Sequence, residues 1–281
     1  MESPHARAVS CSGQLAFLCS DLRPAYMRLI GRARLIATTQ VRRTIRKTLK
    51  ESDVFLLKET VFRNSNPSAA RYISYIAGVD IPDDVRSKKI LFIHVPRTGG
   101  TSIAIALYGQ KTDHHSAAYY RAIDQAFFSQ CFKFTFVRNP WDRLVSAYHL
   151  LRRGHTEYVR VWSPQKYSDL LDMSFDDFVC SWLWKRREQL MELDTTLWTQ
   201  AYFTHSPDGD SLVDFVGRRE TMEADLLHLR ERQNIAIRNM HLNRSLNRED
   251  QDYRSYYTDQ DTVEAVREIY AKDIAFFKYD F

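Results

Sequence analysis

Two short segments concentrate the residues that can do chemistry. The first is His94-Val-Pro-Arg-Thr-Gly-Gly-Thr-Ser102, which offers the Arg97 guanidinium, the hydroxyls of Thr98, Thr101 and Ser102, and the adjacent Gly99 and Gly100. The second is Arg138-Asn-Pro-Trp-Asp-Arg-Leu-Val-Ser146, which offers Arg138 and the Ser146 hydroxyl. Cations, hydroxyls and open backbone N–H groups are what hold an oxyanion. Between the two lie His114 and His115, side chains that take up or release a proton near neutral pH. Together they suit the binding of two phosphate-like groups with a base close by in sequence.

The elements that must position these residues are legible. Ile90 to Ile93 is an apolar run suited to a strand buried on both faces, and Pro96 ends it. Gly99 and Gly100 allow a tight turn, and Ser102 to Leu107 reads as the start of a small-residue helix. A strand, a glycine turn and a helix N-terminus present unpaired N–H groups to an anion. Phe132 to Val137 alternates, placing Phe132, Phe134 and Phe136 on one face of a second strand. Asn139 then caps a helix with Pro140 at its first position, and Trp141, Leu144, Val145 and Tyr148 form its buried stripe. Arg138 therefore stands at the carboxyl end of a strand, where ligands bind in open α/β sheets.

Further along, a helix is expected over Tyr119–Gln130, another is capped by Ser174, and Leu212–Val216 suits a third strand. Thr221 opens a helix with Leu226, Leu227 and Leu229, and Asp259–Phe277 reads as a final amphipathic helix. Alternating strands and helices predict an α/β fold with a central parallel sheet flanked by helices. Residues 88–281 form this domain, and residues 1–87 are expected to be a basic, largely helical extension.

Composition narrows the function classes. The chain has 281 residues, 44% of them hydrophobic, enough to bury a core. Its net charge is +5, yet nine Arg or Lys and no acid fall between Leu22 and Lys50, so the remainder carries −4. The basic balance describes a segment and gives no reason to expect nucleic acid. Residues 22–50 suit either a peripheral contact with an anionic membrane or a solvated helix. No window reaches the roughly 18 apolar residues of a membrane span, and Ala8–Ser20 makes a poor signal peptide, so a cytoplasmic protein is expected. Cys11, Cys19, Cys131 and Cys180 show no paired spacing, and no metal site is expected. The first segment also lacks the G-x-x-x-x-G-K-[ST] spacing of an ordinary nucleotide phosphate loop.

The two segments together resemble the signature motifs of sulfotransferases, in particular the Golgi-type carbohydrate sulfotransferases and their bacterial relatives. Val213–Glu220, His241-Leu-Asn-Arg-Ser245 and Tyr256-Tyr257 resemble that family as well. The resemblance implies a P-loop-like sulfotransferase fold and the donor 3′-phosphoadenosine 5′-phosphosulfate, with no metal. The sulfuryl group would pass to a hydroxyl, or less readily an amine, of a carbohydrate or other acceptor. By the same resemblance Pro96, Arg97, Thr98, Gly99, Gly100, Thr101 and Ser102 would hold the 5′-phosphosulfate, and Arg138 with Ser146 the 3′-phosphate. His115, or its neighbour His114, stands where relatives carry a histidine and would be the base. Arg97 stands where the family usually has Lys, so it offsets charge but is a far poorer proton donor. The residues themselves leave two other readings open: a metal-dependent nucleotide phosphotransferase with an atypical loop, and a non-catalytic anion-binding protein.

Overall fold

A computed structural model describes Phe55, Glu59, Thr60, Ala70, residues 80–156, residues 159–233, Ile235, Ile237 and residues 252–281. The chain divides into two compact units, Met1–Val54 and Phe55–Phe281, and the described residues belong to the second. The basic segment 22–50 and His241–Ser245 lie outside the described residues.

The fold is α/β. Among the described residues three parallel strands pair in chain order: β1 (Ile90–Ile93), β2 (Phe132–Val137) and β3 (Phe215–Arg218). The register aligns Ile93 with Thr135 and Val137 with Arg218, so the loops leaving all three strands emerge at one edge. The alternation in β2 holds, since Phe134 and Phe136 are fully buried and Phe132 packs against the same apolar cluster. The third strand starts three residues later than expected. Asp214 takes the Lys133 N–H on its carboxylate (2.8 Å) and gives its own N–H to the Lys133 carbonyl (2.8 Å), so regular pairing begins only at Phe215.

Helix α1 (Asp83–Lys88) leads into β1, and α2 (Gly100–Tyr108) follows it. The expected helix over 119–130 is two: α3 (Ala117–Ile123), capped by Ser116, and α4 (Gln125–Gln130), capped by Asp124. Asp124 has φ −146°, an extended backbone that ends one helix while its carboxylate accepts from Phe127 N and starts the next. Helix α5 (Pro140–Arg153) is capped by Asn139 as expected, and Trp141, Leu144, Val145 and Tyr148 are all buried. Each such side chain contributes about 1.5–3 kcal/mol of burial.

Ser174 does cap a helix, but only one α turn follows, α6 (Phe175–Asp177). The chain continues as a wide π turn (Phe178–Leu183) and a tight 3-10 stretch (Trp184–Glu192) kinked at Gln189. Helix α7 (Gln200–Thr204) precedes β3, and α8 (Met222–Gln233) follows it with Met222 and Leu229 buried and Leu227 exposed. The final helix is likewise two, α9 (Gln260–Ile269) and α10 (Ala271–Phe277), separated at the buried Tyr270, whose hydroxyl donates to the Leu197 carbonyl.

Two buried polar groups hold the sheet edge together. Arg143, 1% exposed, donates from its guanidinium to the carbonyls of Pro96, Thr196 and Trp198. Asp273, fully buried, accepts from the N–H groups of Gln200 and Ala201 at 2.8 Å each. Burial pushes its carboxyl pKa up, and the Arg143 charge and those amide bonds pull it back. Gln200, anchored in this way, clamps the backbone of Arg138: its Oε1 accepts from Arg138 N and its Nε2 donates to Arg138 O. Arg143→Lys keeps the charge but not the three-way reach. It is expected to lose about 2–4 kcal/mol in urea unfolding; a loss under about 0.5 kcal/mol would show that these carbonyls do not depend on the guanidinium.

Candidate functional site

In the turn between β1 and α2, Gly99 is exposed while Pro96, Thr98 and Gly100 are buried. Thr98 is fully buried and its hydroxyl donates to the Val95 carbonyl (2.9 Å), so this side chain closes the turn and does not face a ligand. Gly99, at φ 87°, adopts a conformation that favours glycine and leads into α2 with no side-chain cap. The first N–H groups of a helix have no partner within it. Gly100 answers to a second constraint. A Cβ there would lie 2.3 Å from His94 Cδ2 and 3.0 Å from Phe92 Cζ, so only glycine fits against the His94 ring. Pro96 is buried, and Thr101 and Ser102 are half-buried on the first turn of α2.

Arg97 is the least ordinary residue of the loop. Its φ of 69° is rare for a non-glycine residue and costs on the order of 1–3 kcal/mol. Its carbonyl is held by Arg138, whose NH1 group donates to it at 3.2 Å. Its side chain runs to the second segment, where Nε and NH2 donate to Ser146 Oγ at 3.1 and 2.7 Å. The two segments therefore touch. Ser146 is bonded to Arg97, the cation assigned from the sequence to the other segment.

Arg138 forms a bidentate pair with Asp142, Nε to Oδ2 and NH2 to Oδ1, each 2.7 Å. Three of the five N–H donors of its guanidinium are thus used within the site. Asp142 fixes the plane of the guanidinium and offsets its charge. Arg219 was not assigned a role from the sequence. It follows the last residue of β3, its N–H donates to the Val137 carbonyl (2.7 Å), and its side chain lies against Gly99, where a Cβ would meet Arg219 Cδ at 3.4 Å. Arg97, Arg138 and Arg219 each sit just beyond the carboxyl end of a different strand.

Two of the histidines, His94 and His114, form a connected pair. His94 Nδ1 lies 3.3 Å from the Thr112 carbonyl and its ring is 4.2 Å from that of His114. His114 Nδ1 donates to the His94 carbonyl (2.8 Å), which leaves Nε2 as its unprotonated nitrogen. Burial holds the pKa of His94 well below the usual imidazole value, with the neighbouring His114 adding to the effect. Burial also lowers that of His114, partly offset by its hydrogen bond to the His94 carbonyl. His115 is buried and takes other partners, with Nδ1 2.8 Å from Glu59 Oε1 and its ring stacked on Tyr119. His149, on α5, is bonded to the Tyr256 hydroxyl (2.9 Å).

Trp182 and Trp198 are core residues, while Trp162 and Trp184 are half-buried. Arg218 donates to the Phe277 carbonyl, and Glu220 accepts from Asn139 N (2.7 Å) and the Tyr279 hydroxyl (3.0 Å). Cys131 and Cys180 are free thiols. Among the described residues no group of three or more His, Cys, Asp or Glu is placed to hold a metal ion, and no helix is long and apolar enough to cross a membrane.

One sheet edge thus carries three arginines and the N-terminus of α2, with the rings of His94 and His114 in contact beside the loop. The sulfotransferase family model matches residues 84–280, a span that includes β1, the loop, α5 and all three edge arginines. Neither a curated protein nor a solved structure matches the chain with significance. With the match covering well over half of the chain, and with both anion-binding segments inside it, the protein belongs to the sulfotransferase family.

Proposed function

We propose that the protein transfers the sulfuryl group of 3′-phosphoadenosine 5′-phosphosulfate to a hydroxyl of a carbohydrate or similar acceptor. The observation that carries this reading is the junction of the two segments: an uncapped helix N-terminus with Arg97 on one side, Ser146 and Arg138 on the other. A nucleotide with one anion at its 5′ end and another at its 3′ position matches two such sites in contact. The N–H groups of Gly100, Thr101 and Ser102 would hold the 5′-phosphosulfate, and Ser146 with the remaining donors of Arg138 the 3′-phosphate.

In the transfer, the acceptor oxygen attacks sulfur in line, the bond from sulfur to the 5′-phosphate oxygen breaks, and the hydroxyl proton passes to the base. Negative charge grows on the departing phosphate, where fixed N–H dipoles and the Arg97 charge are most effective. Arg97 acts there as a charge and not as an acid, because a guanidinium does not give up its proton at neutral pH. The base in this reading is His115. Burial lowers the pKa of His114, the other histidine of the pair.

Calorimetry with 3′-phosphoadenosine 5′-phosphate tests the reading, with saturable binding expected. Arg138→Ala is expected to weaken that binding by about 10- to 100-fold, the effect of losing a charged hydrogen-bond donor worth roughly 1.5–3 kcal/mol. Absence of binding, or equal binding by the variant, would contradict it. Gly100→Ala drives a methyl group into the His94 ring and is expected to cost at least about tenfold in the same affinity while the far-ultraviolet spectrum stays unchanged.

The depressed His94 and His114 also set a pH dependence. Their folded pKa values lie below the unfolded value of about 6.5, so the unfolded chain binds more protons and stability falls as pH drops through that value. The slope is at most about 1.4 kcal/mol per pH unit for each histidine. His94→Asn is expected to flatten the fall in melting temperature between about pH 7 and pH 5; an unchanged slope would show that His94 is not buried as the neutral form.

A further inference from the structure

The family match begins at residue 84, yet the hydrogen-bond partner of His115 Nδ1 comes from upstream of it. Glu59 is fully buried. Its Oε1 lies 2.8 Å from His115 Nδ1 and accepts from Ser116 N (3.0 Å), and its Oε2 accepts from Ser116 Oγ (2.8 Å) and the Tyr202 hydroxyl (3.2 Å). The Ser116 hydroxyl already accepts from Tyr119 N as the cap of α3, so its proton is free to go to Glu59. Three donors and the His115 Nδ1 atom converge on one carboxylate, and an ionised carboxylate can only accept.

The His115 ring is held on both faces as well. Phe55 stacks on one side at 4.7 Å and 13°, and Tyr119 on the other at 3.9 Å and 11°. Phe55 and Glu59 both have helical backbone and are four residues apart, the spacing that places two side chains on one helix face. One supplies the stack and the other the carboxylate. His115 Nε2 lies 3.9 Å from Asp113 Oδ2, beyond hydrogen-bond range, and the Asp113 side chain is 83% exposed.

From this geometry we infer that Glu59 is a positioning residue for His115, fixing the ring and its tautomer so that Nδ1 carries the proton and Nε2 presents its lone pair. The inference rests on the reading of His115 as the base, and it extends the functional unit upstream of the matched region to Phe55 and Glu59. A ring free to choose would protonate either nitrogen. The carboxylate removes that choice, because Nδ1 in its proton-bearing form is the only ring nitrogen that satisfies Glu59.

The test is nitrogen NMR of the full chain labelled in its histidine rings, with His115 assigned by its absence from a His115→Gln spectrum. At pH 8, wild type should show His115 Nδ1 as the protonated, pyrrole-type nitrogen and Nε2 as the pyridine-type nitrogen. Glu59→Leu removes the acceptor, and the two signals should move toward the average of mixed tautomers. Glu59→Gln keeps a carbonyl oxygen for Nδ1 and should restore the wild-type pattern. A purely structural Glu59 would leave the tautomer unselected. An Nε2-protonated or evenly mixed His115 in wild type overturns the inference whether or not the leucine variant folds, and so does an unchanged pattern in a folded Glu59→Leu. Calorimetry with 3′-phosphoadenosine 5′-phosphate, run on the same samples, separates this from the reading beneath it. Wild type that fails to bind the nucleotide defeats the sulfuryl-transfer reading, whereas binding within about twofold in wild type and Glu59→Gln with the wrong tautomer defeats the Glu59 role alone.

Discussion

A buried guanidinium is the constraint on which the site depends. Arg143 lies on α5 among apolar neighbours, and its donors end on three backbone carbonyls, from the first anion-binding loop and from the segment before α7. Taking a charge out of water costs several kcal/mol unless hydrogen bonds replace its hydration. Carbonyl dipoles do so here, and in doing so they fix where Pro96 sits relative to the helix that carries Ser146. Burial lowers the Arg143 pKa from the ordinary arginine value, but an arginine still keeps its charge.

On that base, the three edge arginines have different tasks. Arg138 is tied down most firmly, through Gln200 on its backbone and Asp142 on its side chain. Such a group is preorganised, so little entropy is lost when an anion joins it. Arg97 is held through its carbonyl in a strained backbone conformation while its side chain reaches across to Ser146. Strain of this sort persists where surrounding contacts over-determine it. Arg219 borders Gly99 from β3 and adds charge beside the loop without belonging to either sequence motif.

Much of the fold was legible because its signals are local. The apolar run of β1, the alternation of β2 and the Asn139-Pro140 start of α5 are each read within a few residues, and all three are found where expected. The misses have local physical causes too. Asp124 and Tyr270 each interrupt what reads as continuous periodicity, and Asp214 displaces the start of β3 by taking a ladder N–H on its side chain. The supporting shell of the site was not legible. Glu59 lies 56 residues from the histidine it meets, Gln200 lies 62 from Arg138, and Asp273 lies 73 from Gln200. A single buried polar residue leaves no periodic trace, and its partner is known only once the chain has folded. The Arg97–Ser146 contact was missed for a similar reason, since it follows from the positive φ of Arg97.

In the proposed reading the chain binds a nucleotide carrying separate 3′ and 5′ anions. Competition between 3′-phosphoadenosine 5′-phosphate and ATP, each with and without magnesium, tests that most directly. The expected result is that the bisphosphate binds at least about tenfold more tightly than ATP, a difference of roughly 1.4 kcal/mol, with no change on adding magnesium. ATP binding that is tighter and appears only with magnesium would contradict it.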